Sequence, residues 1–142
     1  KPKPTIKTIS NAMDVGNPSN FIRIQKVYNN DFNKLKKNIS GYSFNDRETK
    51  NCIKNIYQNS NYIMDPHGAI GYMGLKKYNL KHTNEIGVFM ETAHPIKFSN
   101  IVEKIVDEKI KIPKRLSKTF KCKKKSLKIS EYMEFKDFLL KS

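Results

Sequence analysis

The chain predicts an α/β architecture that is rich in helix, with few parallel strands and a sheet left incomplete. Three observations carry this. Amphipathic segments at helical spacing fill most of the 142 residues. Only two stretches have strand character. One of them, Ile86-Gly87-Val88-Phe89-Met90, is an unbroken apolar run feeding straight into a helix. Such runs suit strands covered on both faces of a parallel sheet, and a strand followed by a helix is half of a βαβ unit. Two strands do not make a stable sheet, so the remainder is expected from sequence outside this chain or from a partner.

Taken in order, residues 4–10 alternate and carry β-branched side chains, which predicts a short strand. Asp14 to Ser19 is a loop. Asn17 as cap and Pro18 at the first helical position start a helix whose Phe21, Ile24, Val27 and Tyr28 share a face. Asp31 to Asn38 reads as another short helix, and Gly41 breaks the pattern. Ser43 caps a helix to about Gln58, with Ser43 and Asp46 in the positions of a capping box and Ile53, Ile56 and Tyr57 inward. Asn59-Ser60-Asn61 is turn chemistry. Asp65-Pro66 repeats the grammar of cap then proline, and the helix it opens carries Ile70, Met73 and Leu75. Gly68, Gly71 and Gly74 recur at every third position of that helix. A close pass of backbone or cofactor, or a helix–helix crossing, would use such a stripe. Pro95 opens the next helix, with Phe98, Ile101, Val102 and Ile105 on one face and Val106 at its border. Pro113 to Phe120 allows one helical turn, Lys121 to Lys125 is a basic loop, and a last helix after Ser130 holds Tyr132, Met133, Phe135, Phe138 and Leu139.

The net charge of +15 comes almost entirely from lysine, with 25 Lys against 3 Arg. A reader of nucleic-acid sequence invests in Arg, whose guanidinium matches phosphate and guanine in two bonds at once. Here Lys rises together with Asn (15) and Ile (16) along the whole chain, the pattern of a compositional bias rather than a built patch. A small basic α/β module binding nucleic acid without sequence readout is the alternative, and the Lys121–Lys125 loop is its best feature. No aromatic residues are interleaved with that loop to stack bases. Cys52 and Cys122 form no metal-binding or redox pair and read as free thiols of a reducing compartment. No apolar run approaches the length that spans a bilayer. Lys1-Pro2-Lys3-Pro4 has neither an initiator Met nor the apolar core of a signal peptide, so the chain is expected to be an excerpt or a processed product.

Among residues able to do chemistry, Thr92 stands where the buried run ends and a helix begins, and ligands of open α/β sheets bind beyond the carboxyl ends of strands. Its hydroxyl both donates and accepts. The plainer reading is that Thr92 or His94 caps the helix opened by Pro95. His67 and His94 have no ligand set at zinc spacing and read as capping or packing residues, so no metal is expected. Asp14 and Asp65 are accounted for by loop and cap duties. Ser19, Asn20 and Arg23 crowd one helix start with groups that suit a phosphate, or serve that helix's own first amides.

Three tracts resemble threonine synthases, in family order. They are Asn11-Ala12-Met13-Asp14-Val15-Gly16-Asn17-Pro18-Ser19-Asn20-Phe21, Asp65-Pro66-His67-Gly68-Ala69-Ile70-Gly71-Tyr72, and Glu91-Thr92-Ala93-His94-Pro95-Ile96-Lys97-Phe98. The resemblance implies the C-terminal part of a fold type II pyridoxal-phosphate enzyme of the tryptophan-synthase-β-like group. The implied domain plan is residues 1–142 as part of the catalytic domain, without internal boundary, and 113–142 as a C-terminal helical extension. It implies a cytoplasmic lyase of threonine biosynthesis that converts O-phosphohomoserine and water to L-threonine and phosphate, with pyridoxal 5'-phosphate as cofactor. By position in the signature, Thr92 would offer its hydroxyl to the cofactor's ring nitrogen, and Ser19, Asn20 and Arg23 would face substrate or phosphate. The Schiff-base lysine and the glycine loop that cradles the cofactor phosphate belong to the family's N-terminal half. No lysine or glycine loop here matches them, so this part alone is expected to be inactive and to need the missing N-terminal part. No specific nucleic acid and no membrane are expected as partners.

Overall fold

The computed structural model describes residues 3–11 and 15–141, in two compact units, Lys1–Lys111 and Ile112–Ser142. The first unit is organised around α3 (Asp46–Ser60), which packs on α4 (Pro66–Asn79) and on α5 (Ser99–Val106). Preceding them are two short helices, α1 (Phe21–Val27) and α2 (Phe32–Asn38). The second unit holds a 3₁₀ turn (Lys114–Leu116), α6 (Ser117–Lys121) and α7 (Tyr132–Lys141).

Helices α2, α3 and α4 each begin on a side-chain cap. Asp31 caps α2 by accepting from the amides of Asn33 and Lys34 at 2.9 and 3.1 Å. The capping box of α3 is two residues later than expected. Asn45 Oδ1 accepts from the Glu48 amide at 3.0 Å and Glu48 Oε2 accepts from the Asn45 amide at 2.8 Å. An Asn and a Glu three apart outcompete Ser43 and Asp46 because the longer carboxylate reaches back to the cap's own N–H. The helix ends at Asn61 in the left-handed region, φ 54°, a conformation Asn tolerates better than most residues. Asp65 caps α4 with Pro66 in its first turn, as expected. The helix opened by Pro95 starts as a 3₁₀ turn, Pro95–Phe98, before settling into α5.

The α1 start is corrected. Asn20, not Asn17, flanks the helix, it makes no side-chain cap bond, and Pro18 contributes its carbonyl to the Phe21 amide at 3.3 Å. Ala12, Met13 and Asp14 of the first tract lie outside the described residues. Asn29 and Asn30 follow α1 with φ of 51° and 57°, so two successive left-handed residues turn the chain into α2.

The core of the first unit joins Cys52 and Ile53 of α3, Met64, Ala69 of α4, Phe98, and Val102 and Val106 of α5. Ile56, Tyr57 and Ile105 pack against it as the periodicity predicts. The Cys52 thiol points to the Ala69 carbonyl at 3.8 Å, and burial raises its pKa. Both cysteines are free.

The expected strands do not form among the described residues. Residues 4–8 and 86–92 lie outside the helices and join no ladder. The reason is visible in the 86–90 run. Phe89 stacks edge-on against Tyr72 of α4, ring centroids 5.6 Å apart, and Gly87 lies against Leu75 and Asn79. Ile86, Val88 and Met90 on the other side are 95%, 82% and 77% exposed. One side-chain face therefore has its helix and the other is uncovered, while the backbone edges meet no second strand among the described residues, and without a ladder partner the run is not a strand. The glycine stripe of α4 serves passing chain rather than a helix crossing, Gly68 and Gly71 facing the 86–91 segment and Gly74 facing Tyr42. A Cβ at Gly68 would collide with the Glu91 carboxyl, Gly71 faces Phe89 at 4.0 Å, and Gly74 faces Tyr42 at 3.5 Å.

Candidate functional site

The extended segment passes the start of α4 and turns at Glu91–Pro95, which brings the second and third tracts together. The joint is made of carboxyl groups. Asp65, fully buried, caps α4 with Oδ1, which accepts from the His67 amide at 2.8 Å and lies 2.7 Å from His67 Nδ1. The Asp65 amide donates to Glu91 Oε1 at 2.8 Å. That bond sets the Glu91 carboxyl beside the Asp65 carboxyl, close enough for each to shift the other's pKa. Yet Asp65 Oδ2 and Glu91 Oε2 are both buried and neither meets an N–H or O–H donor. Burial, with the Asp65 carboxyl next, pushes Glu91 up to about 7. Burial acts upward on Asp65 too, but its bonds with Glu91 and with the amide and ring of His67 outweigh that and hold it below the ordinary value. Burial, followed by these two carboxylates, also raises the Tyr62 phenol.

Beyond the turn opens a cavity of about 710 Å³, lined by Tyr62, Glu91, Thr92, His94, Glu108 and Lys109 among others. The Tyr57 hydroxyl donates to Glu108, and the Lys109 ammonium is taken by Glu103 at 2.6 Å. Thr92 is exposed on this cavity, and its hydroxyl has no hydrogen-bond partner among the described residues. The cap of the following turn is His94, whose Nδ1 accepts from the Ile96 amide at 3.1 Å. Of the two capping readings, the structure thus takes His94 and leaves Thr92 free.

His67 and His94 carry capping and packing duties, the His67 ring lying 5.1 Å from that of Phe98. Among the described residues no group of three side chains is placed to hold a metal ion, and no helix is long and apolar enough to cross a membrane. Ser19, Asn20 and Arg23 are exposed around the start of α1, and none of them lines the cavity that bears Thr92. Glu91 and Tyr62 are site residues that the sequence pattern does not single out. The available signal is a lone acid closing an apolar run.

Residues 68–138 match the family model for the C-terminal region of threonine synthase. The chain is 44% identical over 115 residues to a threonine synthase of Buchnera aphidicola from Acyrthosiphon pisum, covering 81% of this chain and 26% of that protein. The crystal structure of Escherichia coli threonine synthase superposes with a TM-score of 0.68 at 33% identity, over 83% of this chain and 27% of that one. A PLP-bound threonine synthase from Brucella melitensis shares the fold, with a TM-score of 0.65 at 21% identity, over 98% of this chain and 35% of that one. The chain spans about a quarter to a third of the length of the threonine synthases it matches. With the signature tracts in order, their turn built around Thr92, and a fold shared with solved threonine synthases, the chain belongs to the threonine synthase C-terminal family.

Proposed function

We propose that this chain is the C-terminal part of a pyridoxal-phosphate-dependent threonine synthase, converting O-phosphohomoserine and water to L-threonine and phosphate together with an N-terminal part it does not itself contain. The observation that carries the reading is the Thr92 hydroxyl, exposed on the cavity and without an intrachain partner while His94 does the capping. A ring nitrogen needs a neutral hydroxyl free of other duties, and Thr92 fits that requirement. When bound, the cofactor supplies an electron sink for carbanions. Thr92 then orients the ring and sets the charge on its nitrogen, because a neutral partner favours protonation less than a carboxylate does. Ser19, Asn20 and Arg23 suit a phosphate by their chemistry, and their exposure leaves them open to substrate or to the N-terminal part. Residues 1–142 belong to the catalytic domain in this reading, with 113–142 as its C-terminal helical extension. The unladdered backbone of the 86–90 run is where the sheet of the N-terminal part adds neighbouring strands, and its exposed side-chain face is what further helices of that part cover, which completes the fold type II architecture.

The test is a chimera in which this chain replaces the matching C-terminal segment of Escherichia coli threonine synthase. Phosphate release from O-phosphohomoserine is expected from the chimera and not from the 142-residue chain alone. A well-folded chimera that binds cofactor but makes no threonine would sink the reading.

A further inference from the structure

We propose that Glu91 is a positioning residue for Thr92: its carboxyl and that of Asp65 share one proton across the gap between the Thr92 turn and the start of α4, and that proton pins the turn in place. Three observations meet here. Glu91 Oε1 accepts the Asp65 amide at 2.8 Å, which fixes one oxygen of the bridge. Asp65 Oδ2 and Glu91 Oε2 are each buried and without a partner, although the Glu91 carboxyl is bonded to the Asp65 backbone and so sits beside the Asp65 side chain. A single proton between them satisfies both at once, and two buried carboxylates without it would repel. Gly68 leaves room for the Glu91 carboxyl where any side chain would displace it. Glu91 directly precedes Thr92, so its anchorage is passed to the hydroxyl through a single peptide unit. The functional meaning rests on the cofactor role proposed for Thr92, while the bridge itself does not.

The groups facing the bridge set its pH range. Asp65 and Tyr62 face Glu91 from the segment leading into α4, and His67, on α4, holds the other oxygen of Asp65. Glu91 is raised to about 7 in the folded chain from an ordinary value of 4.5. Its contribution is therefore complete below about 4.5 and is lost as the pH climbs through about 7. Asp65 is shifted down, so its contribution is present above its ordinary range and lost in acid. The bridge is strongest between the ordinary carboxylate range and neutrality, and opens in alkali.

Amide hydrogen exchange at Asp65, corrected for the intrinsic rate and followed from mildly acid to alkaline pH in the cofactor-free chimera, reads the bridge without cofactor. The protection of that amide is expected to fall above neutrality, by up to about tenfold per pH unit. In Glu91→Gln the amide side of the side chain donates to Asp65 Oδ2 at every pH, so the step disappears and protection persists. In Asp65→Asn, which still caps a helix, Glu91 meets a donor instead of a like charge, and its carboxyl titration, followed by carbon NMR, moves down towards the ordinary range. An Asp65 amide unprotected at all pH values, the same pH step in wild type and Glu91→Gln, or a wild-type Glu91 titrating as an ordinary carboxylate would each overturn the proposal. These readouts stand whether or not Thr92→Val changes turnover, so the bridge and the cofactor reading fail separately.

Discussion

Thr92 and Gly68 are the residues at which single substitutions separate function from packing. Thr92→Val keeps shape and removes only the hydroxyl. In the chimera it should leave folding and cofactor absorbance intact, because in the proposed reading the Schiff-base lysine and the phosphate loop come from the N-terminal part. A lost neutral hydrogen bond is worth about 0.5–1.5 kcal/mol, which lowers turnover about three- to twelve-fold. Thr92→Asp should in addition change the product profile, since a carboxylate favours a protonated ring nitrogen. Steady-state kinetics with product analysis checks both, and wild-type behaviour in both variants would remove Thr92 from the site. Gly68→Ala gains about 1 kcal/mol of helix propensity, but its methyl drives the Glu91 carboxyl off the Asp65 amide. Leaving a buried amide unpaired costs about 1–3 kcal/mol, so the variant should be less stable. Gly71→Ala meets nothing closer than Phe89 at 4.0 Å and should be stabilised by about 0.5–1 kcal/mol. Urea unfolding of the two variants side by side should give midpoint shifts of opposite sign.

At the level of elements, the Asn45–Glu48 box is the firmest start in the chain, and Asn45→Ala should cost about 1 kcal/mol, read as a lower thermal midpoint. The helices were largely legible in the sequence, since caps and a 3.6-residue period are local signals. Asp31, Asp65, Phe98 and Val102 lie where the pattern put them, while Val106, expected at the border of its face, is buried in the core and Ile105 packs against it. Local signals also explain the misses. Ser43-Asp46 and Asn45-Glu48 are overlapping candidates separated only by the reach of a carboxylate. At α1 the cap-then-proline grammar of Asn17-Pro18 is present, but no side-chain cap bond forms, and every residue of the helix is exposed. The 86–90 run reads as a strand because its residues are those of a strand; forming one depends on a neighbour that no local pattern encodes. The Thr92 turn was visible through its tract, whereas the Asp65–Glu91 contact joins residues 26 apart and leaves no periodic trace.

On the scale of the whole molecule, the described core is small beside the apolar surface left open. Ile86, Val88 and Met90 form one uncovered row, and Phe21, Ile22 and Val27 are exposed on different sides of α1. Exposed apolar rows of this kind mark surfaces meant to be covered. The isolated chain should therefore bind a hydrophobic dye and self-associate, as seen by light scattering, and insertion into the chimera should abolish both. A dye-negative monomer with a sharp cooperative melt would count against the missing N-terminal part. The way α3 is clamped also governs speed. It meets α4 through the short 61–65 connector but meets α5 only after the whole 61–98 stretch has been brought round. Closing the longer loop costs more chain entropy, so the α3–α4 hairpin should assemble early and α5 should lock on last. A substitution confined to the late contact is felt on the way out rather than on the way in. Val102→Ala should accordingly accelerate unfolding in stopped-flow traces while leaving the refolding rate nearly unchanged, making α5 the latch that sets the lifetime of the Thr92 turn beside it.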